Sequence, residues 1–314
     1  MAGEHQTVGR FAPSPSGPLH LGNLACALVA YLSARAQGGR FLLRVEDLDV
    51  PRCPPVWAWQ AMRDLEAIGI EWDEEPLWQS RRTEYYEAAF RKLDRMGVLY
   101  PCFCTRAELV NPSLAPNAGD TQRVYPGTCA GLSPEQRRVR SLTRHPAWRV
   151  RVPDREYMLR DRVQGVYREN LKTQCGDFVI RRSDGLFGYQ LAVVVDDAYS
   201  GVNEVVRGRD ILSATPRQMY LMELLNVPVP AYAHIPLICD AHGKRLAKRD
   251  QALGFAVLQQ RYGASGVRGM LAYALGLIPE NRPVSMPELL AAFDWERVSR
   301  EDARLPDTGK ETLQ

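Results

Sequence analysis

The chain has 314 residues, 45% of them hydrophobic and 25% charged, with a formal net charge of +3. This composition excludes a disordered chain, and the length allows about two domains with a substantial core. The longest fully apolar run is nine residues, Leu24 to Leu32, well short of the roughly 18 that a membrane span needs.

Residues 1–10 lack the basic-then-apolar layout of a secretion signal, so a cytoplasmic protein is expected. Seven cysteines in such a chain do not suggest a disulfide framework. Thr7 to Phe11 reads as a strand, followed by the turn-rich segment Ala12 to Pro18. A helix is predicted from about His20 to Ala36, with Leu21, Leu24, Leu28 and Leu32 on one face and Gly38-Gly39 ending it. Phe41 to Val45 reads as a second strand. Strand, helix and strand within about 40 residues make a βαβ unit, which implies a parallel sheet and a right-handed crossover. Further helices fit Val56 to Ile68 and Thr83 to Met96.

From Tyr100 the character changes. Residues 102–130 are rich in Cys, Pro, Asn and Gly, and Trp148 to Val152 alternates like a strand. Gly188 to Val195 is almost wholly apolar, as in a strand buried on both faces, so the parallel sheet is expected to resume there. Residues 100–187 then form an insertion between two halves of one nucleotide-binding domain, 1–99 and 188–250. Helices are predicted at Pro216 to Leu225, Phe255 to Tyr262, Ser265 to Leu277 and Met286 to Phe293, giving a helical C-terminal region over 251–314, with the last dozen residues frayed.

Two loops carry chemistry. The first, Arg10 to Asn23, feeds a proline-rich turn into a helix N-terminus, a ready anion site to which His20 adds a donor and Gly22 a close approach. A tight turn with a surface histidine is the plain alternative. The second, His242 to Arg249, has cations at 244, 245, 248 and 249 and could clamp a polyphosphate or form a solvated basic turn. Only five of the 40 basic residues are lysines, and two of them, Lys244 and Lys248, fall here. Between Ser133 and Lys172 there are eleven basic and five acidic residues. This arginine-rich segment suits phosphate contacts, with a solvated face as the default. Cys102, Cys104 and Cys129 form a cluster that fits either a structural zinc site or buried thiols, and His145 is the ordinary fourth ligand nearby.

Together these segments resemble a known family. Pro13-Ser-Pro-Ser-Gly-x-Leu-His-Leu-Gly-Asn23 resembles the HIGH signature of class I aminoacyl-tRNA synthetases. Arg10 to Ser14 with Leu43 to Asp49 is similar to the glutamyl subclass, and Arg245-Leu-Ala-Lys-Arg249 to its KMSKS loop. Tyr189 to Asp197 and Val206 to Asp210 fit the same pattern, so the match runs over about residues 7–250. That loop departs from the pattern at Arg245, Leu246, Ala247 and Arg249, which keeps the charge and loses the hydroxyls. Only 65 residues follow Arg249, far fewer than an anticodon-binding region, so the resemblance is to the truncated paralogue family, the glutamyl-Q tRNA(Asp) synthetases.

The resemblance implies an α/β Rossmann-like parallel sheet with a zinc-containing insertion and a short helical C-terminal region. It implies activation of L-glutamate with ATP, without tRNA, and transfer to the queuosine at the wobble position of tRNA(Asp) by a cytoplasmic monomer with no membrane partner. Arg10, Phe11, Ala12, Pro13 and Ser14 would hold glutamate, Glu46 its ammonium group, and Tyr189 and Arg207 would complete the pocket. A dicarboxylic amino acid needs two cationic partners and one anionic partner. The ordinary reading of Glu46 and Asp49 is a surface ion pair with Arg52. His20, Gly22, Asn23 and Lys248 would contact ATP, with His20 and Lys248 catalytic, Arg209 and Asp210 structural, and Mg²⁺ arriving with ATP. The resemblance replaces His145 with Tyr125 as fourth zinc ligand beside Cys102, Cys104 and Cys129, the metal pinning the RNA-contacting insertion. Two other readings are a short glutamyl-tRNA synthetase charging a tRNA 3′ end and a noncatalytic zinc-dependent RNA-binding module.

Lys248→Ala is expected to slow adenylate formation by roughly 10²-fold or more with the fold intact, the scale of one lost transition-state charge contact. An ATP–pyrophosphate exchange rate close to the parent's would show that the basic loop does not sit on the phosphates.

Overall fold

Strands β1 (Val8–Phe11) and β2 (Arg40–Val45) pair in parallel with Arg10 opposite Leu42 and Phe11 opposite Leu43. In this computed structural model, residues 6–105, 108, 124–239 and 255–305 are described. The crossover between the two strands is helix α1 (Leu21–Ala36), whose Leu- and Ala-rich stretch is buried on nearly every side against β1, β2 and the strands beyond. A helix apolar all round belongs in a core, which is where this one lies. Gly38 (φ +64°) takes the left-handed position just past its end, as only glycine does cheaply. The neighbouring Gly39 is fixed by space instead, since a Cβ there would stand 2.4 Å from the Thr7 carbonyl oxygen.

β2 continues to the short strand β3 (Leu77–Trp78), again in parallel, after helix α2 (Pro55–Ala67). Helix α3 (Thr83–Arg95) follows, burying Tyr86, Phe90 and Leu93. Strands β4 (Leu99–Cys102), β5 (Ala147–Val150) and β8 (Phe178–Arg181) form an antiparallel sheet. Between them in sequence, β6 (Glu156–Asp161) and β7 (Gly165–Asn170) form a hairpin. That hairpin joins β10 (Ala231–Ile235) and β9 (Glu204–Gly208) in the order β7-β6-β10-β9, the last two pairs parallel. β9 lies beside β1, with the Asn203 amide donating to the Val8 carbonyl at 3.1 Å. The chain therefore winds from β1 outward through β2 and β3 on one side, and through β9 and β10 on the other.

One predicted element differs. The apolar run expected as a strand at Gly188 to Val195 is a helix, Tyr189–Tyr199, with extended Gly188 at its N-cap. A short apolar run without alternation carries no period, so burial on all sides fits helix and strand equally. Two aspartates decide it from within the protein. Asp196 accepts from Arg82 Nε (2.7 Å), Gln79 (2.8 Å) and the Tyr86 hydroxyl (2.8 Å), while Asp197, one helical step on, meets arginines of β1 and β2. The parallel sheet is rejoined by β6, within the 100–187 segment, and then by β9 and β10, rather than at residue 188.

Further helices among the described residues are Pro134–Ser141, the short Leu171–Gln174, Thr215–Leu225, closed by Asn226 in the left-handed region, Phe255–Ala274, broken at Gly263 (φ +69°), and Met286–Ala292. Among the described residues no helix is long and apolar enough to cross a membrane. Residues 240–254, including Lys244 and Lys248, lie outside the described residues, as do 306–314 of the expected frayed end, whereas Ala303–Arg304 are not frayed and pair in parallel with Ile238–Cys239.

Gly39→Ala is expected to lower stability by about 1–3 kcal/mol, because the added methyl forces apart α1 and the start of β1. Chemical denaturation compared with the parent checks this.

Candidate active site and candidate metal centre

A cleft of about 330 Å³ opens beyond the carboxyl ends of β1 and β9. This is where the winding direction reverses, so neighbouring crossovers leave on opposite faces and a crevice remains, the usual place for a ligand in an open α/β sheet. Arg10, Phe11, Ala12, Pro13, Ser14, Glu46, Tyr189 and Arg207 all line it, and so do His20, Gly22 and Asn23. The structure thus brings together every described residue expected around glutamate and phosphate. Lys248 is outside the described residues.

Behind the lining residues Arg10 and Glu46 lies a buried network of charged groups. Arg10 Nε lies 3.2 Å and Arg44 Nη1 2.5 Å from the same Asp197 Oδ1, all three side chains at 5% exposure or less. Burial alone would raise the Asp197 pKa, but Arg44 and then Arg10 overcome it and hold the carboxyl below its usual range. Arg44 also reaches Glu46 Oε1 at 3.1 Å, and Ser14 Oγ donates to Glu46 Oε2 at 3.3 Å. The Glu46 amide donates to the Pro13 carbonyl at 2.9 Å, which ties the end of β2 to the first loop. Burial pushes the Glu46 carboxyl up, against the opposing pull of Arg44 and Arg10. A buried carboxylate in this state is stabilised by one more cation, such as a ligand ammonium group. Burial and the Glu46 charge both raise the Tyr189 phenol, so it enters the cleft as a neutral hydrogen-bond donor.

Arg207 is held differently. Its Nε donates to His234 Nε2 (2.9 Å), Nη1 to Gln218 Oε1 (2.9 Å) and Nη2 to Thr215 Oγ1 (2.7 Å). All three acceptors are uncharged, and one N–H on each Nη remains beyond these bonds. Arg207 also lines the cleft, where a guanidinium favours a carboxylate.

On the other wall, α1 begins at the cleft. His20 is its N-cap: Nδ1 accepts from the Asn23 amide (3.3 Å), and Asn23 Oδ1 accepts from the His20 amide (3.2 Å). With Nδ1 used as acceptor, the neutral ring carries its proton on Nε2 and acts as a donor there. A Cβ at Gly22 would stand 3.0 Å from that ring, so glycine leaves the imidazole its place. Helix-start amides and a donor imidazole together favour an anionic group.

The surface-pair reading of Glu46 and Asp49 fails. Glu46 is held by Arg44 with a side chain 8% exposed, and Asp49 pairs instead with Arg182 at 3.1 Å. Arg209 bonds Asp302 at 2.6 Å, a structural contact. Several groups that shape the cleft were not singled out from sequence: Arg44 and Asp197 lay inside quoted segments, whereas Thr215, Gln218 and His234 lay outside any motif.

At the end of β4 the three thiols of Cys102, Cys104 and Cys129 lie within 4.8 Å of one another. The Tyr125 hydroxyl is 3.4 Å from Cys102 Sγ and 3.7 Å from Cys104 Sγ, and Cys104 and Cys129 Sγ are 3.5 Å apart. A tetrahedral ion bound by three sulfurs and one oxygen has edges of roughly 3.5–3.8 Å, so these four atoms can hold a metal ion. His145 is exposed and outside the cluster. Burial is the main cause that pushes the Cys104 thiol up to about 12, with Cys129 and Cys102 adding to it. A bound cation supplies the charge that lets such clustered thiols ionise.

The family described as tRNA synthetases class I (E and Q), catalytic domain, matches residues 6–277. A glutamyl-Q tRNA(Asp) synthetase of Thiobacillus denitrificans is 52% identical over 245 residues, 78% of each chain. One of Symbiobacterium thermophilum is 46% identical over 310 residues, 95% of each chain. Among solved structures, a glutamate-tRNA synthetase from Elizabethkingia anophelis superposes with a TM-score of 0.84 at 28% identity, covering 96% of this chain and 68% of that one.

Asp197→Asn is expected to cost about 3–5 kcal/mol, since two buried arginines lose their shared carboxylate. The pH dependence has a definite sign. The folded pKa of Asp197 is lowered, so its stabilisation is complete above the unfolded value of about 4 and fades as pH falls through the folded value. Unfolding midpoints measured at a series of pH values should fall less steeply in acid for the variant than for the parent.

Proposed function

The chain belongs to the glutamyl-Q tRNA(Asp) synthetase family of class I tRNA synthetases, and on that premise we propose its substrates and the roles of its residues. It is an ATP-dependent ligase. Its amino acid is L-glutamate, activated without tRNA, and its acceptor is the queuosine at the wobble position of tRNA(Asp). The observation that carries the glutamate assignment is the pairing of Arg207, which has no direct carboxylate partner among the described residues, with a buried acidic group, Glu46, in one cleft.

In this reading a glutamate carboxylate lies on Arg207, the ammonium faces Glu46, and the Tyr189 hydroxyl donates to the ligand. The α-carboxylate oxygen attacks the α-phosphorus of ATP, the bond to the bridging oxygen breaks, and pyrophosphate leaves. No protein nucleophile is needed, so positioning and charge neutralisation supply the rate. His20 donates from Nε2 to the phosphates at the start of α1, beside Gly22 and Asn23, and Lys248 adds a cation from the basic loop. Mg²⁺ arriving with ATP would neutralise part of the phosphate charge. A queuosine hydroxyl then attacks the acyl carbon of the adenylate, and AMP leaves as the ester forms.

Cys102, Cys104, Tyr125 and Cys129 hold one structural Zn²⁺ in this reading, in the insertion over 100–187. The helix Pro134–Ser141 in the same segment exposes Arg138 and Arg140 and supports an RNA-facing role.

Labelled glutamate and ATP incubated with queuosine-bearing and queuosine-free tRNA(Asp) test the acceptor. Label on the queuosine-bearing tRNA alone is expected, and nuclease cleavage should leave it on the anticodon fragment rather than on the 3′ end. Equal labelling of both, or labelling of tRNA(Glu) at its 3′ end, would overturn it. For the metal, elemental analysis should find about one zinc per chain, and Cys129→Ser should lower both that content and the melting temperature. No zinc in the parent protein would remove the site.

A further inference from the structure

Three neighbouring strands set three polar residues in a row. β6 pairs with β10 at Tyr232 opposite Asp161, and β10 pairs with β9 at His234 opposite Arg207. His234 is fully buried, with Nδ1 2.6 Å from Asp161 Oδ2 and Nε2 2.9 Å from Arg207 Nε. An arginine Nε carries a hydrogen and can only donate, so His234 Nε2 must be the acceptor. The imidazole proton therefore sits on Nδ1 and is donated to Asp161. Burial, the largest influence, and Arg207 both keep the ring neutral against the pull of Asp161.

Asp161 is itself immobilised. Its Oδ1 accepts backbone N–H bonds from Val163 (3.0 Å), Gln164 (2.8 Å) and His234 (3.0 Å), which leaves Oδ2 aimed at the ring. Of the three acceptors around Arg207, only His234 can change from acceptor to donor by moving a proton between its two nitrogens. Gln218 and Thr215 hold the outer nitrogens, but the direction of the Nε–H vector sets the plane of the whole guanidinium.

We propose that Asp161 and His234 are positioning residues for the amino-acid pocket: Asp161 fixes the Nδ1–H tautomer of His234, and that tautomer aims the Arg207 guanidinium at the ligand carboxylate. The proposal rests on the reading of Arg207 as a glutamate ligand. It also means that a strand of the 100–187 segment, β6, helps to build the pocket from behind. Because the histidine is a neutral acceptor, it orients Arg207 without directly neutralising it, which a carboxylate in its place would do.

Asp161→Asn tests this with almost no change in shape. The Asn oxygen can keep the three backbone bonds, which turns its amide N–H toward His234 Nδ1. The ring then accepts at Nδ1 and carries its proton on Nε2, where it meets the Arg207 Nε–H donor to donor. In ATP–pyrophosphate exchange, KM for glutamate should rise about tenfold or more, the scale of a misdirected charge-assisted bond, while KM for ATP stays within about twofold. His234→Gln, which can place an amide oxygen near the position of Nε2, should retain a lower glutamate KM than His234→Leu. Nitrogen NMR of the parent protein should show His234 protonated at Nδ1, and the Asp161→Asn spectrum should show Nε2. An unchanged glutamate KM in a variant whose tautomer has switched would overturn the proposal. So would an Nε2–H tautomer in the parent, or a rise of both KM values together, which a merely structural role predicts. Absence of glutamate-dependent exchange in the parent would instead count against the functional reading, while the tautomer measurement still decides the geometry.

Discussion

Burying several guanidinium groups around one small cleft is possible only if each finds a counter-charge or enough acceptors, and Asp197 is the residue that meets most of that requirement. It stands near the end of the Tyr189–Tyr199 helix and takes Arg10 from β1 and Arg44 from β2 on a single oxygen. Two strands and a helix are thereby locked at the crevice, and the adjacent Asp196 fixes α3 to the same helix through Arg82, Gln79 and Tyr86. Desolvation makes such a site costly to assemble, but once built it has little freedom left to lose when a ligand arrives.

The cleft then divides its labour by charge. Arg10 and Arg44 are neutralised by carboxylates, whereas Arg207 is cradled by His234, Gln218 and Thr215. Glu46, with its carboxyl raised by burial, supplies the opposite sign on the facing side. An amino acid with a side-chain carboxylate satisfies both ends. In the proposed reading, one with a neutral amide would leave a buried cationic partner unmatched in a low-dielectric site, a larger penalty than the loss of one neutral hydrogen bond. At the other end, the α1 N-terminus and the His20 ring form a surface that favours an anionic group.

Much of this was legible in the sequence because it is local. The first βα unit, the helix start near His20 and the glycines after α1 follow from spacing and turn chemistry, and the motif residues Arg10, Glu46, Tyr189 and Arg207 all line one cleft. The helix at Tyr189–Tyr199 was not legible, since a run of Leu, Ala and Val without alternation gives no period to read. Nor was the support of Arg207. His234 looks like an ordinary strand residue in Ala231–Ile235, and its partner Asp161 is 73 residues away, joined only by the pairing of β6 with β10. Pair geometry across a sheet is a tertiary property, and single-sequence patterning carries no register between distant strands.

If the cleft selects its amino acid by side-chain charge and activates it without RNA, ATP–pyrophosphate exchange measured without tRNA should tell glutamate, glutamine and aspartate apart at equal concentration. Strong exchange is expected with glutamate and little with the other two, since glutamine lacks the charge and aspartate is one methylene shorter. Exchange of similar strength with glutamine, or none with glutamate, would refute selection by side-chain charge.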